Sequence, residues 1–257
     1  PTRLVGSEVI SVFQTKNKQL LSIRFSLENP DLLEYFCTFC DDLVNSTLEI
    51  TDDNIAYKSL CQRYLSWKKL FRPNQARLKE NEVMGLIGEL LYLRDRMFAK
   101  HGYETALDAW TGPEYTHKDF SLDEEWHEIK TISAGKGSVK IASLEQLDSE
   151  FIGTLGVYVL EKMSSSFNGL KLNDLVNTII SILNTHLRDS FLNKLSNFGY
   201  DFSPEYNNYV YSLISFEEYE VNNAFPRLKR DDIPASISRV QYELIKAELE
   251  PFKLSTE

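Results

Sequence analysis

Cysteine is scarce in this sequence, with three residues in 257, too few to build a disulfide scaffold and in keeping with a reducing compartment. Cys37 and Cys40 form a C-x-x-C, but they sit in the helix-like apolar run LLEYFCTFCDDL, and the other thiol, Cys61, has no His near it in sequence. A structural zinc site normally takes four ligands, so the three read as buried structural cysteines. Long apolar runs are missing too: none approaches the length of a bilayer span, and there is no signal-peptide pattern. The chain therefore reads as soluble and cytoplasmic, with no membrane partner. Low-complexity tracts and internal repeats are absent, and the first residue is Pro1 rather than Met, as in a processed or truncated chain. Positive charge is in deficit, 28 Lys and Arg against 38 Asp and Glu for a net charge of −10. That balance argues against a protein that coats nucleic acid nonspecifically. It leaves room for a local cluster of cations, and SWKKLFRPNQARLK supplies Lys68, Lys69, Arg72, Arg77 and Lys79 with no acid among them. The cluster fits a solvated helix end and loop, or a patch that contacts phosphates.

What is present is a mixed pattern of strands and helices, enough for one substantial core or a core plus a small lobe. Residues 7–14 and 19–27 are β-branched and apolar, hence extended. Helices are expected at 30–46 and 54–71, the second ended by Pro73. We assign 1–75 to an N-terminal extension of strands and helices packed on the core, and 76–257 to the main domain. In the main domain a helix is expected over 79–100, a buried strand over 154–163, two helices over 170–198 split near Asn184, and a strand over 207–221. An alternating strand through Ile237, Val240, Tyr242 and Leu244 closes the chain.

The stretch KDFSLDEEWHEIKTIS, 118–133, carries the chemistry. In a strand alternate side chains share a face, so Glu128 and Lys130 point one way between Trp126 and Ile132, while His127, Ile129 and Thr131 point the other. The polar run 123–125 can reverse the chain. A hairpin centred between Asp123 and Glu124 pairs residues whose numbers sum to 247, which sets Asp119 opposite Glu128. Two close carboxylates repel unless a cation sits between them, and a hard divalent metal is the usual occupant.

Residues 79–100, KENEVMGLIGELLYLRDRMFAK, spread Val83, Leu86, Ile87, Leu90, Leu91, Leu93 and Met97 over more than one face, as in a well-buried helix. Glu89 stands in that apolar surface with Gly85 and Gly88 beside it. A glycine costs about 1 kcal/mol in a helix interior, so two of them suggest the close approach of another backbone or a ligand. A buried carboxylate needs a partner: either a basic residue such as Arg96, or a metal. Trp110, before the Gly112-Pro113 turn, reads as core rather than as a base-stacking residue. AGKGS at 134–138 lacks the spacing of a phosphate loop and reads as the turn into the strand VKIAS.

Asp119, eight intervening residues and Glu128-Ile129-Lys130 resemble the core motif of the PD-(D/E)XK nuclease superfamily, departing from it where His117-Lys118 stand in place of the usual Pro. Glu89, thirty residues before Asp119, matches the helix-borne Glu of many such enzymes. Over nearly the whole chain, G-L-I-G-E-L at 85–90, W-T-G-P at 110–113, F-P-R-L at 225–228, Ile233-Pro234, Val240-x-Tyr242 and Leu249-x-Pro251-Phe252 resemble a bacterial family of PD-(D/E)XK motif proteins. The resemblance implies an α/β (α+β) fold: a restriction-endonuclease-like αβββαβ core, with a mixed central sheet flanked by helices and with N- and C-terminal additions. It implies Mg²⁺, replaceable by Mn²⁺, held by Asp119, Glu128, the carbonyl of Ile129, and Glu89 directly or through water, with Lys130 beside it. Gln146, Lys140, Lys68 and Lys69 are the candidate substrate contacts. The implied activity is DNA endonuclease cleavage to 5′-phosphate and 3′-hydroxyl ends, within prokaryotic restriction or anti-phage defence. DNA is the implied partner, alongside ATPase or restriction components of a defence locus, and a homodimer is compatible with it. The competing reading is a noncatalytic DNA- or protein-binding subunit that retains the fold, favoured by the negative net charge.

Overall fold

The computed structural model describes residues 3–18, 20–71, 77–114 and 117–255. In chain order the elements are β1 (Ile10–Lys16), β2 (Leu21–Leu27), α1 (Leu33–Asn45), α2 (Asp53–Leu70), α3 (Glu80–Tyr92), a π-turn (Leu93–Met97), α4 (Phe98–His101), α5 (Tyr103–Ala109), β3 (Phe120–Ser121), β4 (Trp126–Ser133), β5 (Ser138–Ile141), β6 (Gly153–Met163), α6 (Leu172–Ile182), α7 (Thr185–Phe198), β7 (Val210–Val221) and β8 (Tyr242–Ile245). They form two compact units, Pro1–Leu78 with Val176–Asn207, and Lys79–Leu175 with Asn208–Glu257. The expected division left 176–207 in the C-terminal domain. Those residues group with the N-terminal segment instead, because the side chains that complete its core come from them.

In the first unit β1 and β2 form an antiparallel pair. Helix α2 starts where the Asp52 carboxylate accepts the N–H groups of Asn54 and Ile55, and α7 starts on Asn184, which accepts the N–H of Leu187 at 3.0 Å. Phe39, Trp67, Phe71 and Phe202 stack into the core. Beside them the buried Asp42 is held by Trp67 Nε1 at 2.7 Å and by Arg63 and Arg188. The cysteines do not take part. Cys37 is exposed, and Cys40 and Cys61 are half-buried, because the buried stripe of α1 runs through Tyr35, Phe39, Asp42 and Leu43. Lys68 and Lys69, at the end of α2, donate to the carbonyl of Val5 and to Asn193. Arg72 and Pro73 lie outside the described residues.

The second unit has the mixed central sheet of a restriction-endonuclease-like fold. Its strand order is β3-β4-β6-β7, with β4 and β6 parallel and the other pairs antiparallel. The third expected core strand, β5, leaves this sheet and pairs with β8, and the helix after it is a single 3₁₀ turn, Leu144–Gln146. The closing strand is four residues long, so Ile237 and Val240 lie outside it and Ile237 is exposed. One face of the sheet is covered by the β5–β8 ribbon: Trp126, Ile132, Leu155 and Val157 pack with Val139, Ile141, Leu147, Leu244 and Leu249. The other face meets α3. There Gly88 passes so close to β4 that a Cβ would lie 2.0 Å from Thr131 Oγ1 and 3.6 Å from Ile129 Cγ2, whereas a Cβ on Gly85 would meet nothing within 4 Å. Only one of the two helix glycines thus marks a close approach.

The pair separates propensity from packing. Gly85→Ala should stabilise the protein by up to about 1 kcal/mol through helix propensity. Gly88→Ala should lower stability despite that gain, because overpacking costs about 1–3 kcal/mol. Urea unfolding of the two variants reads the opposite signs.

Candidate active site

The β3–β4 ladder pairs Phe120 with His127 and Ser121 with Trp126, the register expected from the sequence, and then it stops. One step further on, where Asp119 faces Glu128, no ladder forms. Instead the Asp119 side chain turns in, and its Oδ2 accepts the N–H of Ile129 at 2.7 Å. The Asp119 main chain is fixed by the loop before it, its carbonyl accepting the N–H groups of Thr111 and Gly112 at 2.9 and 3.0 Å. In a strand the N–H and C=O of one residue point to the same side, so the Ile129 carbonyl faces the same gap.

Glu128 and Lys130 project from the ribbon-covered face of β4, between Trp126 and Ile132. Glu128 is fully buried, and its Oε1 takes the Lys130 ammonium at 2.5 Å. Its Oε2 is buried and has no hydrogen-bond partner among the described residues. Glu89 approaches from α3, where its Oε2 accepts Trp110 Nε1–H at 2.8 Å. It does not pair with Arg96, which binds Glu218. Gly112 lets the two helix- and strand-borne acids close up, since a Cβ there would lie 2.6 Å from Glu89 Oε2 and 3.4 Å from Asp119 Oδ1. Glu89, Asp119, Glu128 and Lys130 therefore meet at the point where the short strand ends.

The electrostatics follow from desolvation. Burial pushes the Glu128 carboxyl up to about 8, with Asp119 adding to it and Lys130 opposing it. Burial and then the Asp119 charge raise Glu89 well above the usual carboxylate range, against the Trp110 hydrogen bond. Asp119 keeps part of its surface open, yet desolvation raises it too, against Lys130 and the Ile129 N–H. For Lys130 burial acts downward, but the Glu128 and Asp119 charges hold its ammonium above the ordinary value. Fully ionised, the three carboxylates would outnumber the partly buried Lys130 ammonium beside them, and their upward shifts express that surplus.

That surplus is the setting a hard divalent ion fits. An orphaned buried carboxylate oxygen, three acids with oxygen donors and a backbone carbonyl are the donor chemistry of Mg²⁺ or Mn²⁺. The three acids are not packed ligand to ligand. Among the described residues, the group of three whose ligand atoms all lie within 4.8 Å of one another is His101, Glu125 and His127, on the α3 side of β4.

The expected substrate contacts are not among the four residues gathered here. Lys140 is on the exposed face of β5, between the buried Val139 and Ile141, and Gln146 is turned back on its own loop, accepting the N–H of Ala142 at 2.7 Å. Lys68 and Lys69 belong to the first unit. A cation that sequence reasoning passed over is Lys118. Its ammonium lies 4.0 Å over the Trp126 ring and donates to the carbonyls of Glu145 and Asp148. Burial lowers it to about 8, while Glu128 is the first of the charges holding it up. Its signal was its place beside Asp119, where the superfamily motif usually has an uncharged residue. Trp110 was read as core, which it is, but its indole N–H is also the partner of Glu89.

The chain belongs to the family described as "Putative PD-(D/E)XK family member (DUF4420)", whose model matches residues 4–245. Neither a curated protein nor a solved structure matches it. The PD-(D/E)XK superfamily is nuclease-like in general. Among the described residues no helix is long and apolar enough to cross a membrane.

Two substitutions test the electrostatic account in the metal-free protein. Trp110→Phe removes the hydrogen bond from the indole N–H to the buried Glu89 carboxylate and should destabilise by about 1–3 kcal/mol. Asp119→Asn keeps the acceptor for Ile129 N–H while removing one of three crowded acids, and should stabilise by about 0.5–2 kcal/mol. Chemical denaturation of both variants in the presence of a chelator measures the difference.

Proposed function

We propose that this protein is a metal-dependent endonuclease that hydrolyses phosphodiester bonds in DNA, with Mg²⁺ as its ion and Mn²⁺ able to replace it. The observation that carries the reading is the convergence of Asp119, Glu128 and Lys130, joined by Glu89, in one desolvated gap where Glu128 Oε2 has no partner. Asp119, Glu128 and the Ile129 carbonyl would hold the ion. Their loose spacing leaves room for water, and Glu89, already engaged by Trp110, would reach the ion through it, as Mg²⁺ keeps several waters. When bound, such an ion lowers the pKa of a coordinated water and offsets charge on the scissile phosphate.

The rest falls to the chain itself. Asp119 is locked by the strand edge on one side and the Thr111–Gly112 loop on the other, so its free oxygen is aimed before any ligand arrives. Lys130, fixed by Glu128, orients the attacking water or stabilises charge that develops on the phosphate. Lys118 places a second cation within the field of Glu128. A role in prokaryotic restriction or anti-phage defence, with ATPase or restriction components as companions, is the setting we propose for such an enzyme.

Purified protein with Mg²⁺ or Mn²⁺ should convert supercoiled DNA to the nicked form. Lys130→Ala should reduce the rate by about 10²-fold or more while circular dichroism shows the fold retained. Undiminished nicking by that variant would refute the assignment of Lys130, and a wild-type protein that neither nicks DNA nor binds Mn²⁺ in calorimetric titration would point to a noncatalytic subunit.

A further inference from the structure

On the face of β4 opposite Glu128 lies a second constellation that the nuclease reading leaves unused. His127 from β4, Glu125 from the turn before it and His101 from the end of α4 bring their ligand atoms within 4.8 Å of one another. His127 Nε2 is 3.0 Å from Glu125 Oε1, and His101 Nε2 is 3.7 Å from Glu125 Oε2. These separations bracket the roughly 3.3 Å between two ligands of a tetrahedral zinc ion with bonds near 2.0 Å. Among the described residues neither buried imidazole Nε2 atom meets the geometry of a hydrogen bond, and His127 as a whole is 3% exposed.

The network behind His127 explains why its Nε2 is bare. Arg96 pairs with Glu218, so that carboxylate is an acceptor, and it takes the Tyr92 hydroxyl proton at 3.0 Å. The Tyr92 oxygen is left to accept, and it lies 2.9 Å from His127 Nδ1. With the neutral ring's proton on Nδ1, the tautomer that this arrangement favours, the Nε2 lone pair faces a Glu125 oxygen at 3.0 Å. Two lone pairs in that position repel unless a cation joins them. An Nδ1–H donated to a fixed acceptor is also how metal-ligating histidines are commonly oriented. Lys100 is the resident counter-charge, paired with Glu125 Oε1. It is 58% exposed and free to swing out, and Glu125 Oε2 remains on the His101 side. A cavity of about 380 Å³, lined by Met97, Lys100, Thr154 and the ligands Glu125 and His127, opens onto the group.

We propose that His101, Glu125 and His127 form a mononuclear site for a borderline divalent ion of the zinc class, with its fourth position open to this cavity. Two imidazoles and one carboxylate select Zn²⁺, Co²⁺ or Ni²⁺ over Mg²⁺. The ion would tie the end of α4 to the β3–β4 turn and so brace the strand that carries Glu128. The site stands independently of the nuclease reading, because none of its ligands belongs to the carboxylate gap.

The full chain, freed of metal, is titrated with Zn²⁺ in excess Mg²⁺ by calorimetry, and with Co²⁺ by visible absorption. One ion per chain should bind, with the intense ligand-field bands of four-coordinate cobalt and a rise in melting temperature. Asp119→Asn, which disables the carboxylate gap, should keep this binding. His101→Ala and Glu125→Gln, both at partly exposed positions, should each weaken it at least tenfold, and Tyr92→Phe should weaken it about 10–100-fold through loss of ring orientation. Absence of Zn²⁺ binding to the wild type, unchanged affinity in His101→Ala and Glu125→Gln, or loss of binding in Asp119→Asn would each overturn the assignment.

Discussion

A shortage of positive charge in a desolvated gap governs the second unit. Three carboxylates, from α3, from the residue before β3 and from β4, share the space with the partly buried Lys130 ammonium. Left alone, such a group is held together by protons: burial raises all three acids, and the Asp119 charge adds to the rise of Glu89 and of Glu128, the latter to about 8. A domain held by hydrophobic packing alone has no reason to keep this arrangement, since replacing buried charges with apolar groups is commonly neutral or stabilising. Its persistence beside a well-packed core is intelligible when a cation from solution completes it.

The surrounding structure is arranged so that the acids cannot drift apart. Gly88 brings α3 against Ile129 and Thr131, and Gly112 removes the one side chain that would wedge Glu89 from Asp119. Trp110 holds Glu89 by a single hydrogen bond from within the core. Most telling is the brevity of β3. A longer strand would pair with Ile129 through backbone groups and fill the gap with a ladder. Because it stops at Phe120, the Ile129 N–H goes to the Asp119 side chain, and the edge of β4 becomes a place where polar groups meet without completing a sheet.

How much of this could be read from the sequence varies with the range of the interaction. The register of Asp119 against Glu128 was legible because a turn of acidic residues fixes a hairpin locally, and the alternation of Trp126, Glu128, Lys130 and Ile132 fixes the faces. Helix α3 was legible from its apolar density, and the need of Glu89 for a partner from its burial. What failed was non-local. Nothing in VKIAS says that β5 will abandon the central sheet for β8, 100 residues on, and so Lys140 lands on an exposed face. The grouping of 176–207 with the N-terminal segment depends on core contacts such as Phe202 on Trp67, for which periodicity carries no signal. The Trp110–Glu89 bond likewise joins residues with no regular spacing. Cys37 misled because an apolar neighbourhood in sequence does not say which side of a helix is the buried one.

The alternation of β4 also places two kinds of donor back to back. Glu128 faces the gap of oxygen donors, and His127, its neighbour, faces the imidazole–carboxylate group with Glu125 and His101. Hard oxygen ligands suit Mg²⁺, which binds imidazole poorly, whereas a borderline ion prefers the histidines. Two sites that share one strand but differ in donor softness would therefore sort ions by chemistry, even though their ligands are adjacent in sequence. An ion in one would stiffen the backbone between Glu125 and Ile129 and so narrow the positions open to Glu128 in the other. Any coupling between them then has a physical carrier one residue long: the peptide that joins His127 to Glu128.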